Sequence, residues 1–239
     1  MTTLLFRRDP YLQEAPAVVL QHSPEGGIVL DQSLFFPTGG GQPGDSGWLI
    51  WEGGRVVIAT TTRNADGVIV LVPGSASALP PSGAAVVQRL DWERRYRHMR
   101  MHTALHLLSA AVSRPVTGGQ IGAAKSRLDF DIPDPVPERG NLEERLNLLI
   151  GSDLRVTESM IAEEDLAAQP QLVRQISAPL PQGHGRLRLV GIGEGAGQID
   201  LQACSGTHVA RIGEIGRIQV AEIARKGRNS HRISITLDS

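Results

Sequence analysis

Two hydrophobic rhythms divide the chain near residue 90. From Leu4 to about Arg89, short apolar and β-branched runs alternate with turn signals: Ala17 to Leu20, Gly27 to Leu30, Trp48 to Trp51, Val56 to Thr61 and Gly67 to Val72. No helical period runs through them, so they read as strands. Gly53-Gly54 separates two of these runs and Asn64-Ala65-Asp66-Gly67 the next two. Hairpins in a small antiparallel barrel are the economical solution. A loop rich in Ser, Pro and Gly, Ala76 to Ala84, precedes a last strand, Ala85 to Leu90.

From Asp91 the period becomes helical. Met101, Leu105, Leu108 and Val112 recur at helical spacing until the chain reaches Arg114-Pro115, which predicts a long helix to about Ser113. Asn141 followed by Glu144 signals a second helix start, with Leu142, Leu146 and Leu149 on one face. A strand from Arg155 and a short helix near Glu163 follow. Arg186 to Val190, Gln198 to Ala203, Arg217 to Ile223 and Arg232 to Leu237 then read as strands. The expected class is α+β: a barrel-like domain over 1–90, and over 91–239 helices packed on one side of a mostly antiparallel sheet.

Composition narrows the setting. With 239 residues, 41% of them apolar, the chain can bury a sizeable core. Its single cysteine, Cys204, excludes an intrachain disulfide and leaves one thiol to be explained. No apolar run approaches the roughly 18 residues that span a bilayer, and Met1 to Tyr11 lacks a signal-peptide core. The expectation is a soluble cytoplasmic protein with no membrane contact. A net charge of −1 gives no global attraction to nucleic acid, so an RNA partner has to be argued from local patches. The densest is Arg94, Arg95, Arg97 and Arg100, interleaved with Tyr96 and His98. It reads either as a phosphate-contacting patch or as a solvated helix face carrying salt bridges.

The chemistry lies in four residues. At 100° per residue, His102 and His106 project within about 40° of each other, so one helix offers two imidazoles to a common ligand. His98 falls on the same face one turn earlier and ranks second, as a rim residue touching RNA or as a partner behind the ligands. Nearly a hundred residues on, Cys204-Ser205-Gly206-Thr207-His208 places the thiol four positions before another histidine, with a glycine between that lets the backbone turn. Three imidazoles and a thiolate suit tetrahedral Zn²⁺ and argue against Mg²⁺ or Ca²⁺. The same donor set also fits a closed structural zinc.

His102-Thr103-Ala104-Leu105-His106, then Arg127-Leu128-Asp129-Phe130-Asp131, then Cys204-x-Gly206-Thr207-His208-Val209 resemble the paired signatures of the alanyl-tRNA synthetase editing domain and the AlaX proteins. Phe36-Pro37-Thr38-Gly39-Gly40-Gly41-Gln42-Pro43-Gly44-Asp45 resembles the glycine-rich segment of the longer AlaX class, so the resemblance covers nearly the whole chain. Ser205 departs from the second glycine usual after the cysteine. The resemblance implies a barrel-like first domain and a two-layer α/β sandwich editing domain shared with the threonyl-tRNA synthetase editing region. It implies His102, His106, Cys204 and His208 as zinc ligands and Thr38 as a determinant of substrate choice. It also implies hydrolysis of alanine tRNA mischarged with serine or glycine.

An activated ester needs a polarised carbonyl or a metal-poised water, with donors for the oxyanion, and no nucleophilic side chain. Thr38, Gln42 and Gln120 are the candidate partners for a seryl hydroxyl, and a site built around that hydroxyl rejects the alanyl ester. Gly39, Gly40 and Gly41 are candidates for close backbone approach to the terminal adenosine. Arg94, Arg97, Lys125, Arg127 and Lys226 are candidates for tRNA phosphates. Two rivals remain open: a non-catalytic RNA-binding module with structural zinc, and a zinc hydrolase of small esters.

Overall fold

The computed structural model describes residues 2–75, 78–133, 135–167 and 185–238. Two compact units result: Met1–Gly39 with Pro43–Tyr96, and Gly40–Gln42 with Arg97–Ser239. The expected boundary at 90/91 lies at the foot of a long helix, and the division by compactness falls six residues later.

The first unit contains β1 (Thr3–Leu4), α1 (Leu5–Arg8), β2 (Glu14–His22), β3 (Ile28–Leu30), β4 (Gln32–Ser33), β5 (Gly47–Trp51), β6 (Gly54–Arg63), β7 (Ile69–Pro73) and β8 (Ala85–Leu90). Six of these strands close a barrel in the order β2-β3-β7-β6-β5-β8, with β8 returning to β2. Strict alternation drives it. On β2, Ala15, Ala17 and Val19 are buried while their neighbours are exposed. Ile28, Leu30, Phe35, Leu49, Ile58, Ile69, Leu71 and Val86 join them in one interior cluster. Both expected hairpins form: Trp51 pairs with Gly54 across the first, and Asn64 Oδ1 accepts from the amides of Asp66 and Val68 in the second. The loop expected over 76–84 is irregular from residue 78; residues 76 and 77 lie outside the described set. One-turn helix α1, with Phe6 packed edge-on against Phe36, has no visible period because four residues carry none.

The glycine-rich loop is tied at its base. Phe36 and Asp45 exchange a backbone bond of 2.9 Å and an amide-to-carboxylate bond of 2.6 Å. Arg95, 1% exposed, donates to both Asp45 oxygens and to the carbonyls of Pro10 and Leu34. This pair is buried, with the Arg95 guanidinium turned to Asp45 and the two carbonyls.

Helix α2 (Trp92–Val112) continues into the second unit, followed by β9 (Val116–Gln120), β10 (Lys125–Asp131), α3 (Arg139–Gly151), β11 (Val156–Ala162), α4 (Glu163–Ala167), β12 (Arg186–Ile192), β13 (Asp200–Ala203), β14 (Ile218–Arg225) and β15 (Ser230–Leu237). Among the described residues the strands form two antiparallel sheets, β14-β15-β10-β9 and β11-β12-β13, in place of the single sheet expected. β9 and β10 are additions to the sequence reading, although Ser126, Leu128 and Phe130 alternate inward along β10. The class stands: α+β, with a closed barrel and an α/β second part.

Helix α3 lies on β14: the Asn147 amide bonds both the N–H and the carbonyl of Ile218, and Glu143 accepts from the amide of Val220. Its cap is Glu138, whose carboxylate accepts from Gly140 and Asn141 amides, rather than the expected Asn141. Its buried face runs Leu142, Leu146, Ile150, one position beyond the expected Leu149. Helix α2 is buried at every position from 98 to 109 except Arg100, so the apolar stripe read from the sequence understates it.

Candidate metal centre

On α2, His102 and His106 stand one turn apart, both buried, with ring centroids 5.4 Å apart. The segment after β13 brings Cys204 and His208 to them, and the ligand atoms of all four lie within 4.8 Å of one another. Cys204 Sγ is 3.4 Å from His102 Nε2 and 3.3 Å from His208 Nε2. Around a tetrahedral zinc, a nitrogen and a sulfur would stand about 3.6 Å apart, so these spacings fit. Gly206 makes the approach feasible. A Cβ there would lie 2.2 Å from His102 Cε1, and only a backbone without a side chain passes so close to the ring.

Every histidine is held by its other nitrogen. His102 Nδ1 is 2.9 Å from Gln42 Oε1, which also accepts from the Thr207 amide, while Gln42 Nε2 donates to Thr207 Oγ1. Thr103 Oγ1 donates to the Met99 carbonyl, so its lone pairs face His208 Nδ1 at 3.1 Å. His106 Nδ1 meets Asp200 Oδ2 at 2.9 Å, and Gln202 Nε2 donates to that same oxygen. With each Nδ1 engaged on the outward side, the three Nε2 atoms are left as the ligand positions beside Cys204. His106 Nε2 is fully buried with no hydrogen-bond partner among the described residues. An unmade bond there is costly, and a cation bound at that nitrogen removes the cost. These residues therefore fit a zinc-type ion.

The cluster's electrostatics agree. Burial pushes the Cys204 thiol up, but His102 and His208 outweigh it and hold the thiol well below its ordinary value. Burial, joined by the charge of His102, holds His208 well below the usual imidazole range. Burial also lowers His106, yet the Asp200 hydrogen bond and Cys204 raise it to about 9. The cluster is an anion-and-imidazole nest that a divalent cation neutralises by displacing a proton.

The other expected site residues divide. Gln42, expected to read substrate, spends both ends of its amide on His102 and Thr207. Gln120 is exposed and accepts from Arg127. Thr38 is exposed, and its hydroxyl donates to the Thr61 carbonyl while accepting from the Gly44 amide. Gly39 lies in the barrel unit; Gly40 and Gly41 belong to the second unit at φ of 58° and 80°, and Gly41 O accepts from Ile121.

Of the arginine run, Arg95 is buried, Arg100 is bonded to the Ile215 carbonyl and Arg94 to that of Gly44, leaving Arg97 as the exposed member. His98 is buried, outside the ligand cluster, and cannot be the rim residue expected. Lys125 faces Glu222 at 3.4 Å, Arg127 bonds Asp129 and Gln120, and Lys226 is exposed. Thr103, Asp200 and Gln202 escape sequence reasoning, because partners 94 to 105 positions distant leave no local signal.

A model of class II (A) tRNA synthetases matches residues 11–94, and a model of the threonyl and alanyl tRNA synthetase second additional domain matches 187–234. The chain is 34% identical over 251 residues to the alanyl-tRNA editing protein AlaX-M of Methanosarcina acetivorans, covering 99% of both chains. It is 31% identical to AlaX-L of Pyrococcus horikoshii, covering 99% of this chain and 58% of that one. Against the alanine–tRNA ligase of Pyrobaculum arsenaticum it is 34% identical, and it spans a quarter of that protein's length.

Proposed function

The chain belongs to the AlaX family of alanyl-tRNA editing proteins, and we propose that it is a cytoplasmic hydrolase removing serine or glycine from mischarged alanine tRNA. The observation that carries this reading is the convergence of three imidazole Nε2 atoms and one thiolate, each ring fixed through its Nδ1. His102, His106, Cys204 and His208 would hold zinc, which when bound polarises an ester carbonyl or lowers the pKa of a water.

The chain's own side chains supply the remaining parts. Gln42, Thr103 and Asp200 keep the three rings from rotating, and the buried setting of the ligands excludes bulk water. Gly40 and Gly41 offer backbone amides without side chains to the substrate's terminal adenosine. Thr38 is the proposed reader of the seryl hydroxyl. Its hydroxyl, which donates to Thr61 O and accepts from the Gly44 amide, keeps one lone pair that a seryl hydroxyl can donate to and an alanyl side chain cannot. Arg97 and Lys226 are the proposed phosphate contacts.

Dependence on the acceptor stem separates this reading from small-ester hydrolysis. We expect rapid deacylation of serine from alanine tRNA, and little turnover of a serine methyl ester. Equal second-order rates on both would move the assignment to a general zinc esterase.

A further inference from the structure

Arg188 of β12 touches no ligand atom, yet it makes three separate contacts with the turn that delivers Cys204. Its carbonyl accepts from the Cys204 amide at 3.1 Å, which extends the β12–β13 ladder by one step. Its Nη1 donates to the carbonyls of Cys204 at 3.0 Å and Gly206 at 2.8 Å. The other side of the guanidinium is taken by Glu158 on β11, through Nε at 2.8 Å and Nη2. The side chain is 9% exposed although Glu158 is 44% exposed, so the carbonyl side is the sheltered one.

One nitrogen thus holds the carbonyls on either side of Ser205, and this shared donor fixes the shape of the Cys204-Ser205-Gly206 turn. That shape matters at both ends. The first end places Sγ 3.3 to 3.4 Å from two imidazole nitrogens. The second carries Gly206 past His102, where a Cβ would stand 2.2 Å from the ring. A small shift at either carbonyl therefore moves a ligand or collides with one. Arginine suits the task because its planar fork serves a carboxylate with one edge and two carbonyls with a third nitrogen, which a lysine ammonium cannot reproduce.

We propose that Arg188 is a positioning residue of the metal centre, clamping the Cys204–Gly206 turn so that the thiolate stays within the ligand set, with Glu158 orienting the clamp. This role rests on the metal-centre reading. It extends the site to a charged pair on two strands that contribute no ligand.

The chain's single cysteine serves as the reporter. Arg188→Gln and Arg188→Lys should weaken zinc by about 10- to 100-fold, the range typical when a hydrogen-bonded neighbour is removed from behind a metal ligand, in competition with a chelating indicator. In the metal-free proteins, Cys204 should react faster with a thiol-specific dye than in the native chain, with far-UV circular dichroism unchanged. Glu158→Gln, which leaves the guanidinium in place, should weaken zinc less. Native affinity and native thiol reactivity in both Arg188 variants would overturn the proposal. Should Arg188→Gln fail to fold, Arg188→Lys retains the stem and charge and decides the matter alone. A native chain that binds no zinc would refute the metal-centre reading itself, an outcome distinct from Arg188 having no effect.

Discussion

A Cβ on Gly206 would stand 2.2 Å from His102 Cε1 and 2.8 Å from Gln42 Oε1, so Gly206→Ala must displace the ring, the amide or the turn. Its effect should match that of removing a hydrogen bond behind a ligand, with zinc affinity falling by about 10- to 100-fold in a chelator competition. Undiminished affinity would mean that the turn yields more readily than this crowding implies. Thr38→Val tests a different property. The native hydroxyl bridges Thr61 O and the Gly44 amide, and the valine variant should keep its zinc while losing preference for seryl over alanyl ester. An unchanged rate ratio would remove Thr38 as the reader. At this scale the sequence is informative where chemistry is intrinsic to the residue type. Three imidazoles and a thiol at these positions suggest a borderline-soft metal from residue type alone. Gln42, by contrast, reads from the sequence as a substrate contact, because its partner His102 is 60 positions away.

Among elements, the junction between α3 and the short 3-10 turn Ile212–Ile215 is held by Asp153, a non-glycine residue at φ 47°. Its carboxylate accepts from Arg211 Nε at 2.6 Å and from the Gly213 amide at 3.0 Å. The Arg211 hydrogen bond holds the Asp153 carboxyl below its ordinary value. A depressed folded value means the stabilisation is complete above the unfolded pKa, about 3.9, and is lost as pH falls through the folded one. Asp153→Asn tolerates the same backbone and cannot titrate. The gap in melting temperature between native and variant should therefore be widest at neutral pH and close on acidification below about pH 4; a pH-independent gap would contradict this. The strands of the barrel are legible because one face of each is buried, so alternation survives in the sequence. β10 carries the same alternation, hidden among Lys125, Arg127, Asp129 and Asp131. The cap at Glu138 is not legible, since glutamate seldom takes that position.

For the molecule as a whole, the arginine run shows how composition misleads about partners. Its four cations look like one patch, but burial against Asp45 and bonds to the Ile215 and Gly44 carbonyls leave Arg97 exposed. With a net charge of −1, tRNA affinity should be modest and strongly salt-dependent. Replacing Arg97 and Lys226 with Gln should reduce the slope of log affinity against log salt by roughly one for each phosphate no longer neutralised, measured by filter binding. An unaltered slope would place the RNA elsewhere. No helix among the described residues is long and apolar enough to cross a membrane. Editing at the four-residue metal centre is tested most directly by deacylation of seryl-tRNA and alanyl-tRNA, both on alanine tRNA, by native protein and Cys204→Ala, with zinc quantified in each. The expected result is fast release of serine, slow release of alanine, and disappearance of both zinc and activity in the variant. A folded, zinc-loaded native protein that releases no serine would contradict it and leave an RNA-binding module with a structural metal.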